Sequence, residues 1–251
     1  MVFFSNFNAK ISRGRLDFFK RNGYNIFMDT FIYYLASFLA VVIVITMHEF
    51  AHAFVAYKCG DPTAKFAGRM TLNPIKHFDL LGMLAFALAG FGWAKPVPVN
   101  PYNFKNYKWG SFFTAIAGVA ANFLFAFLFY PLAELFFRYV LPYTEGTYGY
   151  YFLYYTIRFL FNYSLTFCVF NLLPLYPLDG FRVVDAFSKK RSKFYWFLRK
   201  YGYFILLGLV LINYLSTMIP VLEYVNVLGF VMYFLRNLLS KPITLFWGLF
   251  L

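Results

Sequence analysis

Across residues 31–57 the only side chains able to carry charge at neutral pH are those of His48, Glu49 and His52. A helix over that run is roughly 40 Å long, enough to cross a bilayer. In hydrocarbon every backbone N–H and C=O must find its partner inside the segment, so the run has to be helical. Ionisable groups are costly at that depth and mark function when they occur. On a helix, residues four apart share a face, so the two histidines of "HEFAH" aim at one point. Two imidazoles at ligand spacing with a carboxylate beside them is the pattern that binds a metal ion and activates water. In a soluble helix five residues of this kind match by chance; within hydrocarbon a chance match is a weak explanation.

The rest of the chain agrees with a membrane setting. It is 61% hydrophobic and 13% charged, far from the usage of soluble domains. The net charge of +13 sits in clusters between apolar runs, the placement of juxtamembrane topology signals. No nucleic-acid-binding motif accompanies it. Cys59 and Cys168 form neither a CxxC pair nor a disulfide framework. The first 29 residues hold Lys10, Arg13, Arg15, Lys20 and Arg21 without the apolar core of a cleavable signal. An interfacial amphipathic helix and an irregular tail fit them equally well.

The expected fold is an all-α polytopic membrane protein with about five transmembrane helices, over residues 31–57, 111–137, 148–173, 202–220 and 221–239. The apolar stretch 80–93 is too short to span, and Gly90, Gly92, Pro96 and Pro98 break it. A short re-entrant or β-hairpin segment near residues 83–99 is expected there, sheltered by protein. The third span ends in "NLLPLYPLDG", where Pro174 and Pro177 open the helix. Residues 181–200 read as a basic, cytoplasmic loop and residues 141–147 as an outer one. This orientation brings HExxH and Asp179 to the same face, but leaves the basic N-terminus outside, against the charge rule. One domain, residues 1–251, is expected, with a core over 31–185 and C-terminal helices over 202–251.

Zinc hydrolases use three protein ligands and keep a position for water. A third histidine of metzincin type is excluded, because Val55 and Lys58 occupy the positions where that motif continues. Of the acids, Asp17, Asp29, Glu145 and Glu223 belong to termini or the outer side, and Glu134 to the far end of the second span. Elimination leaves Asp179 first and His77 second. The plainer readings are an N-cap for Asp179 and an interfacial polar contact for His77.

"HEFAH" together with "NLLPLYPLDG" resembles the site-2 protease family of intramembrane zinc metalloproteases. "GRMTLNPIKHFDLLG" and "FGWAKPVPVNP" look like its minimal bacterial and archaeal branch, so the resemblance covers residues 41–185. Leu80 departs from the proline common there. The resemblance implies one Zn²⁺ per chain held by His48, His52 and Asp179. It makes Glu49 the general base of peptide hydrolysis within or near transmembrane segments. Asn122 and Asn171 become candidates for the oxyanion or the substrate backbone, and Asn122 matches the asparagine of the family's second core span. The PDZ or CBS domains that some members carry are not expected. Expected partners are transmembrane protein substrates and the lipid bilayer, not nucleic acid; a homo-oligomer is compatible with the sequence. A prokaryotic cell membrane is implied, with the site towards the cytoplasm. A strand edge within 83–99 is expected to hold an unwound substrate by β-addition. The rival readings are a metal transporter, a non-catalytic relative that binds transmembrane helices, and a hydrolase of lipids or small amides.

Overall fold

The structure is a computed structural model and describes residues 26–82, 92–140, 147–188 and 191–251. In chain order its α-helices are α1 (Ile26–Lys58), the one-turn α2 (Thr63–Phe66), α3 (Tyr107–Leu135), α4 (Tyr148–Leu172), α5 (Asp179–Phe187), α6 (Lys193–Leu215) and α7 (Val227–Trp247). The centre is a three-helix packing in which α1, α3 and α4 each touch the other two. The short α5 lies on α3 and α4, and α7 covers α4 and α3 while also meeting α6.

Two rows of residues explain how α1 and α3 come close. On α1, Ala36, Ala40, Val44, His48, His52 and Ala56 recur every fourth position and all are buried. On α3, Thr114, Gly118, Asn122 and Ala126 do the same. Rows spaced by four are the ridges along which helices interdigitate. In lipid the hydrophobic effect gives little reason for helices to associate, so small residues and polar contacts carry the packing. Ser37 and the Tyr163 hydroxyl supply one such contact at 2.6 Å between α1 and α4. The outer faces are apolar: Phe31, Leu35, Leu124, Leu128, Phe204 and Phe230 are all exposed, as lipid-facing residues should be.

Side chains start four of the helices. Asn106, Thr147, Ser192 and Asn226 each accept a hydrogen bond from the backbone N–H three residues on. Pro131 lies inside α3 and has no N–H, which strips the Phe127 carbonyl of its helical partner. Trp247 at the end of α7 replaces it: its indole N–H donates to that carbonyl at 2.9 Å. Trp247→Phe keeps an aromatic ring and removes the donor. It should lower the stability of the full chain in detergent by about 1–2 kcal/mol, read from denaturant or thermal unfolding.

Several expectations about elements change. Three described helices are long and apolar enough to cross a membrane, Phe27–Lys58, Tyr107–Val140 and Lys193–Leu215. α4 and α7 have the length but less apolarity, α4 because tyrosines fill its first half and α7 because it carries Arg236 and Lys241. Most of the described residues of the basic stretch 181–200 are helical. α5 runs to Phe187, α6 begins at Lys193 and α7 at Val227, so the two C-terminal helices have bounds other than the expected 202–220 and 221–239. Lysine and arginine are good helix formers, and their charge marks topology rather than backbone state.

Among the described residues there is no β-strand; Phe78 and Ala94 form one isolated antiparallel bridge. Of the segment expected near 83–99, residues 83–91 lie outside the described residues, as do 1–25 and 141–146. Its flanks turn back on each other, since a Cβ on Gly82 would collide with the Trp93 carbonyl.

Candidate metal centre

His48 and His52 stand one turn apart on the buried row of α1, with rings edge to face and centroids 4.6 Å apart. Asp179 arrives from the other end of the core. After α4 stops at Leu172, the chain turns through its proline-containing link and restarts as α5 at Asp179 itself. Gly180 makes that return fit, because a Cβ there would run into the carbonyls of Leu172 and Leu173. The N-cap position is Leu178, and no side chain caps α5. The carboxylate of Asp179 is therefore not spent on a cap. Its Oδ2 lies 3.1 Å from His48 Nε2 and 3.0 Å from His52 Nε2, and the two Nε2 atoms are 3.0 Å apart. All three residues are buried. Arg182, one turn further on, has Nη1 3.8 Å from the other oxygen, Oδ1.

α3 fixes which ring atoms face the cluster. His52 Nδ1–H donates to the Thr114 carbonyl at 2.6 Å, so its Nε2 presents a lone pair. The Asn122 amide nitrogen lies 3.0 Å from His48 Nδ1, and in this orientation its Oδ1 has no partner. Turned over, the amide accepts from His48 Nδ1–H, which satisfies that oxygen and frees the lone pair of His48 Nε2. Three lone pairs then converge within 3.1 Å, two from imidazoles and one from a carboxylate. Such a set repels itself unless a proton or a metal ion joins it. Zinc–nitrogen bonds near 2.0–2.1 Å place tetrahedral ligand atoms about 3.3 Å apart, a few tenths of an ångström wider than this cluster. The donors thus fit one zinc ion. Gly118, between Thr114 and Asn122, is what lets α3 approach. A Cβ there would lie 2.5 Å from both His52 Nε2 and His48 Cε1.

Glu49 turns away from the histidine row, and its Oε2 accepts the Val97 N–H at 3.0 Å. Pro96 and Pro98 flank Val97, so that N–H is the one donor in three successive residues. Below it the buried Asp61 accepts from the backbone N–H groups of Asn100 and Thr63 and from the side chains of Asn103 and Thr63. Burial pushes the Asp61 carboxyl up, but those hydrogen bonds outweigh it and hold it below its usual range. His77, second in the elimination, does not join the cluster. Its ring is fully buried, with Nε2 on the Thr71 carbonyl at 2.8 Å. Asn171 donates to the Phe167 carbonyl of its own helix at 3.1 Å. Thr114, Gly118 and Val97 are not among the candidates that the sequence suggests, although "TAIAGVAAN" carries the spacing of four that joins Thr114, Gly118 and Asn122.

Comparison with known proteins points the same way. The family model described as peptidase family M50 matches residues 36–149. "Putative zinc metalloprotease YwhC" of Bacillus subtilis is 42% identical over 167 residues, 63% of this chain and 74% of that protein. The chain belongs to peptidase family M50, the site-2 protease family. Within M50 it is also similar to "Putative zinc metalloprotease Rip2" of Mycolicibacterium smegmatis, 29% identical over 165 residues, 63% of this chain and 58% of that protein. The protein of that name from Mycobacterium tuberculosis is 27% identical over 173 residues, 66% of this chain and 61% of its own length. No solved structure matches this M50 chain. The matched span 36–149 contains HExxH and the α3 row, while Asp179 lies beyond it. Together with its apolar helices, M50 membership makes this an integral membrane protein.

Proposed function

We propose that this M50 chain is an intramembrane zinc endopeptidase that hydrolyses peptide bonds within or near transmembrane segments of membrane-protein substrates. The observation that carries the reading is the meeting of His48, His52 and Asp179 across 131 residues of chain, with Glu49 next to His48 on the same helix. His48, His52 and Asp179 would hold one Zn²⁺ per chain. Bound there, zinc supplies Lewis acidity to the scissile carbonyl and lowers the pKa of a water. Glu49 takes the attacking water's proton and hands it to the leaving amide nitrogen. Asn122 and Thr114 keep both imidazoles aimed by holding their Nδ1 atoms. Asn171 has a second amide N–H beyond the one its helix uses, available to a substrate oxygen. The fold reading keeps five spans in one domain, with α4 crossing largely inside the bundle and α7 on its outside, Phe230 and Tyr233 towards lipid. It also keeps the site towards the cytoplasmic face of a prokaryotic membrane and the 83–99 segment as the contact for an unwound substrate.

The test is the full chain, purified and reconstituted, incubated with a panel of single-span substrates. One zinc per chain and a cut within or beside the span, mapped by mass spectrometry and lost on chelation, are expected. Uptake of metal into vesicles without any peptide cleavage would favour the transporter instead.

A further inference from the structure

Four residues before Ala53, which packs under Val97, α1 carries Glu49, and the Val97 N–H is the hydrogen bond this structure gives its carboxylate. What holds Val97 in place is therefore a question about the proposed base. Val97 itself is buried against Ala53 and Ala64. Two residues earlier, Lys95 has an exposed side chain, yet its peptide is gripped on both sides. Its N–H donates to the His77 carbonyl at 2.9 Å. Its carbonyl accepts from Arg69 Nη2 at 2.6 Å. His77 is locked in turn by its own ring bond to Thr71.

Arg69 is an unusual way to anchor a carbonyl. It is only 7% exposed, its Nε is buried without a partner, and among the described residues no carboxylate pairs with it. A buried, unpaired cation is expensive. Lysine, glutamine or water would hold one carbonyl at lower cost. A rigid planar fork does more than a point charge: it fixes direction as well as distance. Pro96 and Pro98 stiffen the stretch between the grip and Val97, so direction set at Lys95 carries to residue 97.

We infer that Arg69 and His77 are positioning residues for the reaction: by clamping the Lys95 peptide they set where the Val97 N–H stands and so hold one oxygen of Glu49, leaving the other for water. The inference rests on the peptidase reading above. Neither side chain is hydrogen-bonded to His48, His52 or Asp179: Arg69 bonds the Lys95 carbonyl and His77 the Thr71 carbonyl.

The experiment compares the reconstituted full chain with Arg69→Met and Arg69→Lys, each loaded with Zn²⁺ for kinetics and with Co²⁺ for the visible spectrum. For Arg69→Met, kcat should fall about 10–100-fold, the scale of a misplaced catalytic group, with KM within about threefold of wild type. Zinc stoichiometry and the cobalt spectrum should not change, and Arg69→Lys, which keeps a donor but not the planar group, should recover only part of the rate. A kcat within about twofold of wild type overturns the inference. So does an altered cobalt spectrum, or a lysine variant no better than methionine. Should Arg69→Met fail to accumulate, His77→Leu and His77→Gln give the same contrast, since glutamine retains a donor for Thr71. If wild type binds zinc but cuts nothing, the peptidase reading fails. If wild type cuts and Arg69→Met cuts equally well, only the positioning role is lost.

Discussion

Glu49→Gln should yield a protein that still binds one zinc ion and whose cleavage rate is lower by about 10²–10⁴-fold, the range a general base contributes. Glutamine keeps the shape and one oxygen, so the Val97 N–H retains an acceptor and unfolding temperature should hardly move. What is lost is the ability to take a proton from water. Metal affinity should persist because Glu49 is not among the three converging side chains. The measurement is turnover of a reconstituted single-span substrate beside metal analysis of the same sample. Near-normal turnover with zinc in place would remove Glu49 from the mechanism. Metal flux that survives while no substrate is ever cut would favour a transporter.

Gly118→Ala is the second large effect, and its sign is diagnostic. In an ordinary helix interior alanine is favoured over glycine by about 1 kcal/mol. At residue 118 the added carbon would lie 2.5 Å from His52 Nε2 and 2.6 Å from His48 Nε2, well inside van der Waals contact. Either α3 backs away, loosening the holds of Thr114 and Asn122, or the imidazoles rotate off their common point. Zinc affinity should drop by about 100-fold, at the upper end of what outer-sphere changes do to metal sites. Competition with a chromogenic chelator reads this directly, and intact helix content by circular dichroism separates it from misfolding. An alanine variant with wild-type zinc affinity would contradict the packing described between α1 and α3.

The readable parts of this chain are those where the bilayer makes a residue type rare. His48, Glu49 and His52 stand out because nothing else in their run ionises, and few acids compete with Asp179. The structure does bring His48, His52 and Asp179 together. Thr114 and Gly118 are different: small residues every fourth position are common wherever helices pack in lipid, so their spacing does not announce a metal. Val97 acts through its N–H, which has no side-chain signature at all; only the flanking prolines hint that one donor stands alone. Asn171 is a different case. Its place in "NLLPLYPLDG" marks it, yet the amide here turns to the Phe167 carbonyl. The stretch 181–200 looks like a loop because it is densely charged, but charge does not dictate irregular backbone, and α6 begins inside it.

The cluster has its parts at both ends of the core: two imidazoles on the first described helix, and a carboxylate that follows 127 residues after the second of them. During synthesis the early half enters the bilayer well before Asp179 leaves the ribosome. If the chain is the peptidase proposed above, a half-made copy holds its base and two of its anchors but no complete cage, and is inert towards the unfolded segments crowding the insertion machinery. Cleavage is thereby withheld until the chain through Asp179 has been made.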